Sequence, residues 1–310
     1  MGHIPVLFDE CIEKLNIKPN GIYLDLTLGG FGHGRGICEK LSEDGVYIAT
    51  DLDLDAIKRG EDKSKDLICQ THFFHTHFNQ FEECLDSLGI DKVDGCLIDL
   101  GVSSFQIDET ERGFSFLRDA RLDMRMNAEA AISAYDVVNT YSEDELRTIF
   151  YSYGEEKFSS KIAKKIAEYR TDKPIETTFE LVEIIKSGIP KKFHFEGKHP
   201  ATRCFQAIRI EVNQELSGLA DCIDALIDRL TKKGRLAIIS FHSLEDRIVK
   251  TTFAKRSQGC TCPKDFPICV CKNTPDIKLI NRSPIVAKEK ELDDNARARS
   301  AKLRVAEKVK

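Results

Sequence analysis

Two aspartates and a group of glycines near the N-terminus have the types and spacing of a ligand-binding edge. An apolar run ends at Asp25, and four glycines follow it: Gly29, Gly30, Gly32 and Gly34. A second apolar run, GVYIATD, ends at Asp51. Bare backbone lets a ligand approach closely, and an acid that follows the first strand's turn by roughly 20 residues accepts hydrogen bonds from ribose hydroxyls. The pattern therefore predicts a nucleoside site.

The glycine spacing argues against a dinucleotide as the ligand. The turn reads GGFGHG and lacks the GxGxxG pattern that places a pyrophosphate at the start of a helix. A nucleoside cofactor without phosphate, such as S-adenosylmethionine, fits the turn better. An NAD-dependent oxidoreductase stays as one alternative, because it would use a similar first strand and acid. A non-enzymatic RNA-binding or ribosome-assembly factor stays as another, because a glycine-rich turn is also common without any function.

Later apolar runs end in further candidate residues. Phe78 follows the third run and would pack on an adenine, while Asp99 ends the fourth run, where cofactor and substrate would meet. A core aromatic and a turn-capping aspartate would give the same sequence pattern. In the stretch SFHSLEDR, His242 is a candidate on the substrate side, and Ser243 with Asp246 predicts a helix start.

Four cysteines lie close together in the stretch GCTCPKDFPICVCK. They are Cys260, Cys262, Cys269 and Cys271, and four thiols suffice for a tetrahedral zinc site. Only one residue separates the cysteines of each pair, whereas the familiar zinc knuckle has two. Zinc ligation and a loop of redox-sensitive thiols both stay open, so no metal ligand is assigned from the sequence.

The elements that position these residues alternate between strand and helix. Short apolar runs alternate with helix-like stretches from Ile22 to Asp99, which is typical of a parallel sheet covered on both faces. From about Tyr135 to Ser187 the apolar period is helical. Two capping pairs predict helix starts there, Ser142 with Glu145 and Thr177 with Glu180. An amphipathic helix from Ala207 to about Leu230 then leads into the strand-like run GRLAIISF.

Composition limits the class of protein. The chain has 310 residues, 41% of them hydrophobic and 31% charged. Its net charge of −5 argues against positive charge over the whole surface, although a local basic face could still bind nucleic acid. No apolar run reaches the roughly 18 to 20 residues of a membrane span, and the N-terminus does not have the pattern of a secretory signal. Eleven cysteines are most easily kept reduced in the cytoplasm. We therefore expect a cytoplasmic protein with no membrane partner.

Ordered motifs along nearly the whole chain carry a family resemblance. Among them are YLDLTLGGFGHG, DGCLIDLGVSSFQID, YGEEKFSSKIAKKI, HPATRCFQAIRIEVNQEL, RLAIISFHSLEDRIVK and NARARSAKLRVAEK. With these motifs the chain resembles the bacterial small-subunit ribosomal RNA methyltransferase H family, also called MraW. The resemblance implies a class I S-adenosylmethionine-dependent methyltransferase, an α/β, Rossmann-like fold with a mostly parallel seven-stranded sheet and an inserted all-helical domain. It implies methylation of the exocyclic N4 of a cytidine in 16S rRNA near the decoding site, with the small ribosomal subunit as partner.

The resemblance also assigns site residues. By position, the family's cofactor contacts fall on Phe31, Gly32, His33, Asp51, Phe78, Asp99 and Gln106. The candidate catalytic set is Asp99, Ser103, Ser104 and His242, because Asp99 and the GVSS turn would hold the methionine end of the cofactor and the amine. The family often has two glycines before the histidine, where this chain has Phe31 and Gly32. A main-chain contact survives that difference unless a positive φ is required there.

The resemblance completes the predicted organisation. The first part of the core spans 1–107, the helical insertion on the substrate side 108–200, and the second part of the core 201–310, with a cysteine-rich loop at 259–272. A basic stretch around PKKFHFEGKHPATR is the predicted RNA-facing surface, with Lys191, Lys192, Lys198, Arg203 and Arg209 among aromatic residues. The oligomeric state stays open between a monomer and a homodimer.

Overall fold

The chain forms two compact units. The computed structural model describes residues 5–103, 109–194, 199–260, 262, 268, 270–271 and 273–310. The core unit comprises 1–101 and 218–310, and the helical unit comprises 102–217. Within the described ranges, no helix is both long enough and apolar enough to cross a lipid bilayer.

A seven-stranded sheet forms the centre of the core unit. Its strands are β1 (Ile22–Asp25), β2 (Val46–Asp51), β3 (Gln70–His75), β4 (Val93–Asp99), β5 (Leu230–Ser240), β6 (Ile277–Leu279) and β7 (Lys302–Lys308). Their order is β3-β2-β1-β4-β5-β7-β6. The first five strands pair in parallel, and β7 runs antiparallel to β5 and β6. The predicted class I methyltransferase fold, with its mostly parallel seven-stranded sheet, is confirmed.

Helices flank this sheet in the core unit. They are α1 (Phe8–Leu15), α2 (Gly32–Cys38), α3 (Leu54–Lys63) and α4 (Phe81–Ser87) before the helical unit, and α10 (Leu219–Arg229), α11 (Ser243–Arg256) and α12 (Glu289–Asp294) after it. The central strands are apolar without alternation because both of their faces are covered. Leu24, Ile48 and Ile98, for example, are fully buried.

The strand order fixes where a ligand site belongs. The chain runs outward from β1 through β2 to β3 and then returns to β4 on the other side of β1. Sheets of this kind bind ligands outside the carboxyl ends of the strands at such a reversal. The strands β1, β2 and β4 end there at Asp25, Asp51 and Asp99. Three carboxylates from distant parts of the chain therefore share one edge of the sheet.

The helical unit contains α5 (Ala134–Thr140), α6 (Glu143–Ser152), α7 (Ser159–Tyr169), α8 (Thr178–Gly188) and α9 (Thr202–Asn213). Its helices enclose an apolar core of their own. Both predicted capping pairs are present as reciprocal boxes, Ser142 with Glu145 before α6 and Thr177 with Glu180 before α8. A third box, Ser133 with Asp136, begins α5.

The boundaries of the helical unit differ from the prediction. The unit extends from 102 to 217 instead of 108 to 200, because Cys204, Phe205 and Ile208 of α9 pack into its apolar core. The predicted single helix from Ala207 to about Leu230 is also wrong. Gln214 and Gly218 have φ of 52° and 69°, and these left-handed conformations separate α9 from α10.

Candidate active site

The glycine turn joins β1 to α2. One of its amides binds a carboxylate at the end of β2, and two of its glycines pack closely against neighbouring side chains. The Gly29 amide donates a 2.8 Å hydrogen bond to Oδ2 of Asp51. Gly34 has a packing reason to lack a side chain, since a Cβ there would lie 2.1 Å from the Tyr47 hydroxyl. Gly32, the first residue of α2, would place a Cβ 2.3 Å from Cγ of Pro5. Bare backbone at these two positions therefore serves the packing of the turn itself.

Phe31 precedes α2 in a left-handed conformation. Its φ is 65° and its ψ is 21°, a region in which glycine carries no steric penalty and other residues do. The side chain is only 1% exposed, with its ring edge-on to Tyr47 at 5.7 Å and to Phe73 at 6.0 Å between centroids. Phe31 itself thus adopts the positive φ, and its ring anchors the turn in the core. A ligand contact at Phe31 must therefore use its main chain.

Asp25 and Asp51 stand in different surroundings. Asp25 is buried, and its carboxylate accepts hydrogen bonds from the Tyr47 hydroxyl at 2.8 Å and the Thr27 amide at 3.1 Å. Asp51 accepts one main-chain N–H on each oxygen, from Gly29 and from Asp53, both at 2.8 Å. Burial raises the pKa of each carboxyl to about 6. Because each carboxylate oxygen has two lone pairs, Asp51 retains capacity to accept a ligand hydroxyl.

Asp99 and His33 form a second polar pair at the same edge. His33 Nδ1 lies 3.6 Å from Oδ2 of Asp99, and its Nε2 lies 2.9 Å from the Val6 carbonyl oxygen. A carbonyl only accepts, so we assign the ring hydrogen to Nε2, which leaves Nδ1 toward the carboxyl. Oδ1 of Asp99 is buried without a hydrogen-bond partner among the described residues. Such atoms are rare in native structures, and this one marks Asp99 as an acceptor for a ligand.

Electrostatics at Asp99 favour a cationic ligand. Burial raises its pKa well above the usual range, and the neighbouring charges of Asp25 and Glu245 raise it further. A positive charge placed beside these carboxyls would favour their ionised forms and oppose that rise. A cationic ligand at this edge would therefore be stabilised by the carboxylates that it helps to ionise.

Phe78 begins a short 3-10 helix, Phe78–Gln80, after β3. Its ring is 9% exposed and lies 4.1 Å from that of His77, and its carbonyl accepts the Cys222 thiol at 3.6 Å. This burial fits a core aromatic as well as one face of an adenine pocket. The adenine contact stays a prediction.

His242 is the N-cap of α11, so the predicted capping pair of Ser243 and Asp246 is wrong by one residue. The Glu245 amide donates to Nδ1 of His242 at 3.4 Å, and the His242 amide donates to Oε2 of Glu245 at 3.2 Å. Asp246, expected to complete the cap with Ser243, instead pairs with two basic residues of β7, Lys302 and Arg304. The His242 imidazole is thus the capping acceptor at a position where the capping box usually has Ser or Thr. This role accounts for the position of His242 without substrate contact.

The remaining predicted site residues follow β4. Ser103 is half-buried in an irregular segment four residues after Asp99. Ser104 and Gln106 lie outside the described residues.

Fewer basic side chains are available on the surface predicted to face RNA than the sequence indicates, because two of them bind other groups of the protein. Arg209 does not belong to it, because its guanidinium pairs at 2.8 Å with both oxygens of Glu215, a residue that is 8% exposed. Arg203 donates to the Glu155 carbonyl at 2.9 Å. Lys191 and Lys192 are exposed, and Lys192 Nζ lies 4.9 Å from the Phe193 ring centre. Lys198 lies outside the described residues.

Sequence reasoning missed two hydrogen-bond partners of the site aspartates, one at a carboxylate and one at a main-chain amide. Tyr47 reaches Asp25 from β2, and the Thr27 hydroxyl accepts the Asp99 amide at 2.6 Å. A tyrosine within an otherwise apolar strand was an available signal, because a buried hydroxyl needs a hydrogen-bond partner.

Comparison with known proteins identifies the family to which this chain belongs. The model of the MraW methylase family matches residues 1–309. The ribosomal RNA small subunit methyltransferases H of Clostridium botulinum (strain Loch Maree) and Clostridioides difficile are 55% and 51% identical over 307 residues, each covering 99% of both chains. An rRNA methylase structure from Streptococcus thermophilus has a TM-score of 0.43 at 10% identity, covering 100% of both chains. The match along the whole length and the identity above one half show that this chain belongs to the MraW methylase family.

Proposed function

We propose that this chain uses S-adenosylmethionine to methylate the exocyclic N4 of a cytidine in the 16S rRNA of the small ribosomal subunit. Membership of a methylase family supports the proposal, as do relatives whose name specifies the small ribosomal subunit. The observation that carries it is the set of acceptors at the carboxyl edge, where Asp51 has spare capacity and Oδ1 of Asp99 has no partner among the described side chains and main chain.

The residues at this edge fit the proposed cofactor. S-adenosylmethionine, when bound, supplies a methyl group activated by a sulfonium. Its positive charges suit an edge with three carboxyls of raised pKa. Asp51 would accept the ribose hydroxyls, as an acid at the end of a second strand does in related folds. The main chain at Phe31 and Gly32, with Phe78 and Gln106, completes the proposed contacts.

Asp99 is the residue that we assign to the substrate amine. The lone pair of a cytosine N4 is delocalised into the ring, so an acceptor for an N–H hydrogen helps the nitrogen become a nucleophile. Holding that amine in line with the methyl group contributes about 7 to 11 kcal/mol through proximity. His33 Nδ1, 3.6 Å from the carboxyl, is placed to share the proton. Ser103 and Ser104 would orient the amine, and His242 stays a prediction on the substrate side.

The test measures methyl transfer from labelled S-adenosylmethionine to small ribosomal subunits from cells lacking the enzyme. Nucleoside digestion should place the label in N4-methylcytidine. Asp99→Asn should reduce turnover by about 100-fold or more, as loss of a positioned proton acceptor does. Asp44→Asn, at an exposed residue of the core unit, is the matched control and should leave turnover unchanged.

Each contrary outcome points elsewhere. Wild-type affinity and turnover in Asp99→Asn would remove that residue from the mechanism. Cofactor binding without label in the subunit would indicate another RNA, and absence of cofactor binding would favour the assembly-factor alternative. A cytoplasmic location and a homodimer remain predictions, and sedimentation velocity would test the second.

A further inference from the structure

The loop between α11 and β6 brings three thiols together. The sulfur atoms of Cys260, Cys262 and Cys271 all lie within 4.8 Å of one another. Those of Cys260 and Cys271 are 3.7 Å apart, far longer than the roughly 2.0 Å of a disulfide bond. Two thiolates, each about 2.3 Å from a tetrahedral zinc ion, would lie about 3.8 Å apart. The observed separation of these two sulfur atoms matches the edge of a zinc–sulfur tetrahedron.

Main-chain N–H groups point at these sulfur atoms. The amides of Val270 and Cys271 both lie 3.3 Å from Sγ of Cys262, and the Asn273 amide lies 3.4 Å from Sγ of Cys271. Hydrogen bonds from an outer shell orient metal ligands and stabilise the thiolate charge. The backbone therefore already supplies the second shell that a thiolate site requires.

The loop is closed at its base, and the two apolar side chains of it that the structure describes beyond that base are exposed. The Asn273 side chain donates to the Gly259 carbonyl at 2.8 Å, and Arg256 pairs with Asp276 at 3.0 Å. Beyond that base, Ile268 and Val270 are 74% and 66% exposed, so they contribute little buried surface. Small segments with little apolar packing are commonly held by a metal or by disulfides. Metal binding would therefore stabilise the part of the loop around these two exposed residues.

We propose that Cys260, Cys262 and Cys271 bind one zinc ion that staples this loop. Thiolate ligands favour zinc among the common divalent ions, and the separation of two of the sulfur atoms fits it. Cys269, the fourth cysteine of the motif, lies outside the described residues, and the proposal rests on the other three. The site is separate in role from methyl transfer.

Elemental analysis of the full chain, purified under reducing conditions without chelator, tests the proposal. We expect about one zinc per chain in the wild type. Cys260→Ser, Cys262→Ser and Cys271→Ser should each weaken zinc binding by more than the roughly 10- to 100-fold that loss of an outer-shell partner costs. Cys69→Ser, a thiol of the core unit outside the loop, is the control and should retain the metal.

A second measurement does not depend on any variant. Titration of the metal-free wild type with cobalt should produce the charge-transfer and visible bands of tetrahedral thiolate coordination, and zinc should abolish them. The proposal is overturned if the reduced protein takes up neither metal, or if Cys262→Ser binds zinc as tightly as the wild type. Circular dichroism of each variant would establish that loss of metal is not loss of fold.

Discussion

The backbone conformation of Phe31 leads us to predict that glycine at this position is more stable than alanine. Both Phe31→Ala and Phe31→Gly remove a ring that is 1% exposed, and each loses about 3 to 5 kcal/mol of packing. The two variants differ in the cost of adopting the left-handed φ of 65°. This conformation costs alanine about 1 to 2 kcal/mol and costs glycine nothing. The greater entropy of glycine in the unfolded chain offsets about 0.5 to 1 kcal/mol of that advantage.

The glycine variant should therefore be the more stable of the two by about 0.75 kcal/mol, within a range of about 0 to 1.5 kcal/mol. At most ordered positions the sign is the opposite, because glycine is usually less stable than alanine. Urea unfolding of both variants and the wild type, followed by circular dichroism, measures the two differences. The shift in midpoint at constant slope gives the change in unfolding free energy.

The comparison between the variants isolates the backbone term because the lost ring is common to both. If the alanine variant proves the more stable of the two, the left-handed conformation at Phe31 is refuted. Gly89→Ala offers a control of the same kind, since Gly89 has a φ of 69° and nothing lies within 4 Å of a Cβ there. It should be destabilised by about 1 kcal/mol through conformation alone.

Three further predictions concern charge. Asp25→Asn should raise the unfolding free energy by up to about 3 kcal/mol at pH 8, because the folded-state pKa of Asp25, about 6, lies above its ordinary value of 3.8. Most of this gain should be lost near pH 4, where the folded-state carboxyl is protonated. Urea midpoints at both pH values measure it, and an equal gain at both would contradict the reasoning. A cationic cofactor favours the ionised forms of Asp51 and Asp99, so the affinity for the cofactor should rise with pH through about 6, and binding should release protons. Calorimetry across that range measures both effects. An affinity that does not change with pH would contradict the reasoning. The double substitution Lys191→Glu and Lys192→Glu should raise the KM for small ribosomal subunits and weaken the dependence of that KM on salt concentration. Unchanged kinetics would remove this loop from the RNA interface.

The edge of the sheet was predictable because strand and helix alternate clearly in the sequence. The runs that end at Asp25, Asp51 and Asp99 have the strand pattern, and parallel strands in one sheet must place those ends together. The capping pairs of α6 and α8 were equally readable, since a Ser or Thr with Glu three residues later is a local signal.

Other features depend on contacts that no local pattern encodes. The pairing of His33 with Asp99 requires β1 and β4 to be neighbours, which the strand order alone decides. Arg209 is indistinguishable in sequence from an RNA-binding arginine until Glu215 lies beside it. His242 escaped notice as a cap because histidine is rare in that role. Local chemistry was therefore predictable, and partners across the fold were not.

The position of β7 in the sheet has a consequence for synthesis on the ribosome. This strand lies between β5 and β6, although both precede it in the chain. Until residues 302–308 have left the exit tunnel, β6 has no strand to pair with and β5 presents an open edge, a surface prone to pairing with other chains. The helical unit, by contrast, is complete in sequence by residue 217. We expect the nascent chain to acquire its helices early and to depend longest on protection at the edge of β5.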